Sequence, residues 1–211
     1  MADAKKIARR LLEAYPDPRL ALRYSKSKPL ELLVAVLLSA QCTDERVNEV
    51  TRELFKKYRK AQDYANADLR TLEREIKPTG FYKNKAKTLR NCCRQLVDEF
   101  GGRVPRTVEE LVRLPGVGSK TANMVLGNAF DRQAVFVDTH VLRVSNRLGL
   151  AASKNAHRVE EALMEQVPRG KWTVFCNAMI LHGRETCTAR KPRCCDCVLF
   201  PLCEWPEKPQ C

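Results

Sequence analysis

Four closely spaced cysteines near the C-terminus are the first candidates for chemistry in this chain. They follow the pattern Cys187-x6-Cys194-x2-Cys197-x5-Cys203. Thiolates spaced in this way can converge on one metal centre. Both a tetrahedral zinc ion and a [4Fe–4S] cluster use four thiolates, so the spacing alone leaves the two open.

The second candidate is the glycine-rich string Leu114-Pro-Gly-Val-Gly-Ser-Lys-Thr-Ala-Asn123, which joins two predicted helices within residues 107–130. Gly116 and Gly118 allow a tight turn, and the helix that begins near Ser119 directs free backbone N–H groups outward. A helix start of this kind favours an anion such as a phosphate. A bare Gly-x-Gly could equally be an ordinary helix-turn-helix, and Lys120 a phosphate contact or a solvated lysine.

The elements that must position these residues are helical, because nearly every long segment repeats its apolar residues with helical periodicity. Three such stripes are Val47, Val50, Leu54 and Tyr58; Leu69, Leu72 and Ile76; and Tyr82, Ala86, Leu89, Cys93, Leu96 and Phe100. Capping residues mark the helix ends at Thr43, at Thr107–Glu110, at Gly101-Gly102 and at Gly149. We therefore predict an all-α fold, with only Ala134–Val137 extended.

Charge and composition narrow the class of protein. Thirty-eight Lys and Arg residues against 25 Asp and Glu give a net charge of +13, which predicts a polyanionic partner such as nucleic acid or an anionic membrane surface. The apolar run Leu30–Ala40 is shorter than the roughly 20 residues of a membrane span and predicts a buried helix. Residues 1–20 carry charges throughout, unlike a secretory signal, so we expect a soluble intracellular protein.

Cysteines in such a protein are more often core residues or metal ligands than disulfides. Cys42, Cys92, Cys93 and Cys176 lie in helical patterns and are predicted to be small core residues. Cys195 and Cys211 lie outside the four-cysteine pattern, and we expect neither to be a ligand.

Taken together, the motifs resemble the helix-hairpin-helix glycosylase superfamily and, within it, the endonuclease III family. The motifs that carry the resemblance occur in the family's order: Leu38-Ser-Ala-Gln-Cys-Thr-Asp44, Gly80-Phe-Tyr-Lys-Asn-Lys-Ala86, the hairpin, Val137-Asp-Thr-His-Val141, Leu181-His-Gly-Arg184 and the cysteine cluster. The resemblance implies a bifunctional DNA glycosylase and AP lyase. Such an enzyme removes oxidised pyrimidines, for example thymine glycol, from duplex DNA and cleaves the abasic site by β-elimination through a lysine Schiff base.

The resemblance also implies the catalytic pair. Lys120 matches the lysine that attacks C1′ of the damaged nucleotide, a step that needs the free amine. Asp138 matches the aspartate that stabilises positive charge on the sugar. Asp138 also precedes the predicted helix Thr139–Leu148, so it can cap that helix, and the two roles are compatible.

Further residues match the family's DNA contacts. Gln41 corresponds to the glutamine that fills the gap left by a flipped base. Phe81 stands where many relatives carry leucine, and it either stacks between bases or turns into the core. The expected DNA-binding residues are Gln41, Phe81, Gly116, Gly118, His140, Arg190, Lys191 and Arg193. The last three lie in the loop between the first two cluster cysteines, which could also be a solvated basic loop.

The family's architecture supplies the remaining expectations. It implies a [4Fe–4S] cluster on Cys187, Cys194, Cys197 and Cys203, and two helical lobes with a DNA-binding cleft between them. One lobe comprises residues 22–132, and the other comprises residues 1–21 plus 133–211. We expect a monomer in the cytoplasm that is nucleoid-associated when bound to DNA.

Two alternatives remain at this point. Adenine DNA glycosylases share the hairpin, the aspartate and the cluster, but they lack the hairpin lysine and carry an additional C-terminal domain, whereas this chain has Lys120 and ends eight residues after Cys203. The other alternative is a non-catalytic DNA-binding module that is stabilised by a structural zinc ion.

Overall fold

Helices form all of the regular structure in residues 3–211, which are the residues that the structure, a computed structural model, describes. The α-helices are α1 (Ala4–Ala14), α2 (Pro29–Leu38), α3 (Asp44–Lys57), α4 (Ala61–Ala65), α5 (Leu69–Ile76), α6 (Tyr82–Phe100), α7 (Val108–Leu111), α8 (Ser119–Ala129), α9 (Thr139–Arg147), α10 (Ala156–Gln166) and α11 (Trp172–Glu185). Short 3₁₀ helices cover Lys77–Thr79, Arg169–Lys171 and Phe200–Leu202. The all-α prediction is confirmed. Within the described range, no helix combines the length and the apolar character that crossing a membrane requires.

Local sequence accounts for where these helices begin and end. Thr43 caps α3 by accepting a hydrogen bond from the Arg46 backbone N–H, and Gly101 ends α6 in the left-handed conformation. The predicted buried helix is α2, which ends at Leu38 rather than at Ala40. Cys42 therefore lies in the turn after α2 and is partly exposed, so its prediction as a helical core residue is wrong.

The chain divides into two compact units. The first, Leu20–Asp131, contains α2 to α8, and α2 packs against α3, α6 and α8. Because α2 has neighbours on several sides, its residues Leu32–Val36 are all buried. This unit carries the hairpin and Lys120.

The second unit combines the segment up to Arg19 with Arg132–Cys211 and contains α1, α9, α10 and α11. Here α11 packs against α1 and α9. Ala134–Val137 is buried and forms no regular element, and it leads directly into α9. This unit carries Asp138 and the cysteine-rich C-terminal segment.

Candidate active site and cysteine centre

The two hairpin glycines have different roles in the folded chain. Gly116 has a φ of +80°, and a Cβ there would lie 2.5 Å from Thr88 Cγ2 and 3.1 Å from Leu37 Cδ2. Gly118, the N-cap of α8, has a φ of −93°, and a Cβ there would meet nothing within 4 Å. Packing and backbone conformation therefore require glycine at Gly116, whereas Gly118 leaves an open surface before the helix.

Lys120 is the second residue of α8 and is exposed to solvent. The first N–H groups of an α-helix lack partners within the helix, and they lie on the same first turn as Lys120. The structure thus places a free-standing amine beside a helix start that is suited to a phosphate. This is the arrangement that a nucleophile acting on a sugar-phosphate backbone needs.

Two further loops of the Leu20–Asp131 unit contain a residue with a left-handed backbone. Gln41 and Phe81 both have positive φ values, 52° and 47°, although neither is glycine. A left-handed backbone costs such a residue about 1–2 kcal/mol. Phe81 is 65% exposed, so the alternative that it turns into the core is wrong.

A buried lysine links these two loops. Lys85 Nζ donates hydrogen bonds to the Leu38 carbonyl oxygen at 2.8 Å and to the Thr79 carbonyl oxygen at 2.7 Å. Leu38 begins the turn that contains Gln41, and Thr79 precedes Gly80 and Phe81. Since Gly116 also packs against α2 and α6 through Leu37 and Thr88, the hairpin and both loops converge.

In the second unit, Asp138 caps α9. Its Oδ1 accepts hydrogen bonds from the backbone N–H groups of His140 and Val141, each at 2.8 Å. The capping role expected from the sequence is therefore present. The two bonds fix the orientation of a half-buried carboxylate at the start of a helix.

His140 lies on the same helix turn and is half-buried. Burial lowers the pKa of His140; the Asp138 carboxylate opposes this shift, and the Arg143 and Arg184 guanidinium groups reinforce it. Its Nδ1 lies 3.3 Å from Arg143 Nη2. His140 is therefore a neutral imidazole at neutral pH, next to the carboxylate that caps α9.

The four predicted ligand cysteines line one small cavity. Cys187, Cys194, Cys197 and Cys203 surround it together with Arg147, His182 and Trp205. Among residues 3–211, no three His, Cys, Asp or Glu side chains are grouped closely enough to hold one metal ion.

Cys195 is not available as a fifth thiol at this centre. It forms a disulfide with Cys211, which joins the end of the chain to the segment between two of the cavity's cysteines. Cys92, Cys93 and Cys176 are buried, as predicted, and burial raises the pKa of the Cys92 and Cys176 thiols to about 12.

Helix α9 supplies two arginines that the sequence analysis did not identify. Arg147 donates to Cys187 Sγ at 3.3 Å and to the Thr188 carbonyl at 2.8 Å, and its guanidinium lies over the Trp205 ring. Arg143 donates to the carbonyls of Gly183 and Cys187. The helix that Asp138 caps therefore also holds the start of the cysteine segment. The spacing of the two arginines, one helical turn apart, could have suggested a shared face.

His182, which was not singled out from the sequence, also borders the cavity. It is buried, its Nε2 lies 3.6 Å from Cys197 Sγ, and its Nδ1 has no hydrogen-bond partner among residues 3–211. Burial lowers the pKa of His182 to about 4, so the ring is neutral. A neutral imidazole is able to donate one N–H to a cysteine sulfur.

The three basic residues of the loop between Cys187 and Cys194 are all exposed. Arg193 donates through Nε and Nη2 to the Glu185 carbonyl at 3.0 and 2.7 Å, which ties the loop to the end of α11. The side chains of Arg190 and Lys191 form no hydrogen bond or ion pair with residues 3–211. Two cations of this loop are thus free to meet an anion.

Comparisons with known proteins agree on one family. The model of the HhH-GPD superfamily base excision DNA repair proteins matches residues 34–169. Endonuclease III of Synechocystis sp. is 48% identical over 96% of this chain and 94% of the relative, and endonuclease III of Escherichia coli K12 is 44% identical over 96% and 95%. A solved structure of a trapped endonuclease III–DNA covalent intermediate is 43% identical, covers 97% of both chains and has a TM-score of 0.90.

Proposed function

The chain belongs to the HhH-GPD superfamily of base excision DNA repair proteins, within the endonuclease III family, and we propose how its own residues carry out that chemistry. The enzyme is a bifunctional DNA N-glycosylase and AP lyase whose partner is DNA. The alternative of a non-catalytic DNA-binding module is thereby set aside. We further propose oxidised pyrimidines such as thymine glycol in duplex DNA as substrates and the cytoplasm, on the nucleoid, as the place of action.

Lys120 is the proposed nucleophile. After the damaged nucleotide leaves the stack, its amine attacks C1′, the base departs with the electrons of the glycosidic bond, and a Schiff base forms as the sugar ring opens. Loss of a proton from C2′ then expels the 3′ phosphate. The observation that carries this proposal is the exposed Lys120 amine on the first turn of α8, beside the open surface at Gly118. Adenine DNA glycosylases lack this lysine, so the alternative that this chain is one of them does not explain an exposed lysine at this position.

Asp138 is the proposed electrostatic stabiliser of the sugar. Positive charge develops on the ring as the base departs, and a carboxylate held in a fixed orientation stabilises it without reorganising. The two backbone N–H groups that bond Asp138 Oδ1 support this role, since they hold the carboxylate in place. His140, which is neutral, is proposed as a contact to the DNA backbone.

The four cysteines are the proposed ligands of a [4Fe–4S] cluster. A single zinc ion holds each sulfur at about 2.3 Å from one point. The four cysteines line one small cavity together, and four thiolates are also the ligand set of a [4Fe–4S] cluster, which the family resemblance favours. Such a cluster would supply a rigid anchor, with redox chemistry as a further capacity. Around it, Arg147 and Arg143 hold the start of the loop that presents Arg190, Lys191 and Arg193 to DNA phosphates.

Borohydride trapping on a duplex that contains thymine glycol tests the proposed nucleophile. The wild-type enzyme should form a covalent adduct with the oligonucleotide, and Lys120→Gln should form none. Lys56→Gln, which changes an exposed lysine of α3 that is paired with Glu53, is the matched control and should trap normally. An adduct that persists in Lys120→Gln would remove Lys120 from this role.

A further inference from the structure

Lys85 is a buried cation without a carboxylate partner in the described range. It is 9% exposed, burial lowers its pKa, and no acidic side chain contributes to the shift. Burying an ammonium group is unfavourable unless strong acceptors compensate. Its acceptors are the carbonyls of Leu38, the last residue of α2, and Thr79, the last residue of a 3₁₀ helix. These carbonyls come from segments far apart in the sequence.

The two segments that Lys85 joins lead to Gln41 and Phe81, two expected DNA contacts whose backbone is strained. Gln41 lies three residues after Leu38, and Phe81 lies two residues after Thr79. Both have positive φ values and both are exposed, so packing of their own side chains does not hold them in place. Strained conformations of this kind persist only where the surrounding structure fixes them, and they are frequent at functional sites.

Lys85 also lies on the first turn of the helix that Phe81 begins. Its backbone N–H donates to the Phe81 carbonyl at 3.1 Å. Lys85 therefore contacts the backbone of Phe81 directly. It also contacts the turn before Phe81 through the Thr79 carbonyl, and the turn that contains Gln41 through the Leu38 carbonyl. Neither loop can shift relative to the other without breaking a hydrogen bond of a buried ammonium group.

We propose that Lys85 is a positioning residue that sets the spacing between Gln41 and Phe81, so that both enter the duplex when the damaged nucleotide is flipped out. This inference rests on the proposed function and adds to it the residue that holds the two gap-filling side chains. A methionine at this position keeps the volume and loses both hydrogen bonds. A lysine that only stabilised the fold would affect every reaction of the enzyme equally.

Two substrates separate positioning from folding. Excision of thymine glycol from a duplex needs the gap to be filled, whereas strand cleavage at an abasic site in a single-stranded oligonucleotide does not. For Lys85→Met, we expect single-turnover excision from the duplex to fall about ten-fold or more. Cleavage of the single-stranded abasic oligonucleotide and its borohydride trapping should stay within about two-fold of the wild type. The control is Lys87→Met, an exposed lysine of the same helix, for which both rates should be unchanged.

Removing the gap-filling side chains provides an independent test. In a background with Gln41→Ala and Phe81→Ala, Lys85→Met should change duplex excision by less than about two-fold, because Lys85 then has nothing left to position. If Lys85→Met is unstable, Lys85→Gln, which keeps a shorter donor, is used in the same comparisons. Equal losses on both substrates, an unchanged duplex rate, or an undiminished effect in the double-alanine background would each overturn the proposal. Failure of the wild-type enzyme to trap would instead refute the proposed function.

Discussion

Replacing Gly116 and Gly118 by alanine, one at a time, separates packing in the hairpin from phosphate binding. At Gly116, the added methyl group stands 2.5 Å from Thr88 Cγ2 and 3.1 Å from Leu37 Cδ2, on a backbone with a φ of +80°. The left-handed conformation costs alanine about 1–2 kcal/mol, and displacing packed side chains costs about 1–3 kcal/mol. We therefore expect Gly116→Ala to lower the free energy of unfolding by about 2–5 kcal/mol.

The same change at Gly118 should have the opposite profile. Its φ of −93° suits alanine, and the methyl group meets no protein atom within 4 Å. Alanine lowers the entropy of the unfolded chain, which stabilises the fold by about 0.4–1 kcal/mol, while it is a poorer N-cap than glycine. The free energy of unfolding should thus stay within about 1 kcal/mol of the wild type. A methyl group on the open surface should, however, weaken DNA binding by about ten-fold or more, because it would keep a phosphate away from the first N–H groups of α8, and a hydrogen bond to a charged group contributes about 1.5–3 kcal/mol.

Thermal unfolding, monitored by circular dichroism, measures the change in stability. Fluorescence anisotropy with a duplex that contains an abasic analogue measures the change in DNA affinity. For a chain of this size, Gly116→Ala should lower Tm by roughly 4–20 °C, and Gly118→Ala should leave Tm almost unchanged. Wild-type DNA affinity in Gly118→Ala would refute the assignment of the hairpin as a phosphate site. A Tm loss in Gly118→Ala as large as in Gly116→Ala would refute the packing argument.

Three further predictions concern the second unit. Asp138→Asn should keep the cap and the Tm while base excision falls, whereas Asp138→Ala should lose excision and also about 1 kcal/mol of stability, measured by thermal unfolding. Cys187→Ser should lose bound iron and visible absorption, and Cys195→Ser should keep both, as metal analysis and absorption spectra will show. Substituting both Arg190 and Lys191 with alanine should lower the slope of log K against log salt concentration by about 2, measured by anisotropy titrations.

Each of these predictions has a result that contradicts it. Full excision by Asp138→Asn would show that the carboxylate charge is not used. Iron retained in Cys187→Ser, or lost in Cys195→Ser, would show that the ligand set is different. For the salt slope, the control substitutes Arg52 and Lys56, which already pair with Glu53, and an equal change there would mean that the effect is one of net charge only.

Much of the fold and of the site could be predicted from the sequence because the signals are local. Helical periodicity and caps such as Thr43 and Gly101 depend on neighbouring residues, so they predict helices directly. Cys42 was placed wrongly because the apolar run before it gives no sign that α2 ends at Leu38. The disulfide between Cys195 and Cys211 was likewise not predicted, since pairing of thiols depends on where the end of the chain lies.

The sequence by itself determined the helical class and indicated the glycine-rich hairpin, Lys120 and the four-cysteine pattern as candidates, since each is a short string whose residue types and spacing do not depend on distant residues. Only the tertiary structure decided which distant residues contact these motifs and fix their positions. Lys85 contacts a carbonyl 47 positions away, and Arg147 contacts a cysteine 40 positions away. Such contacts follow from helix packing, which brings together residues that no local pattern relates. The same packing distinguishes Gly116 from Gly118, two glycines that are alike in the sequence and differ in what surrounds them.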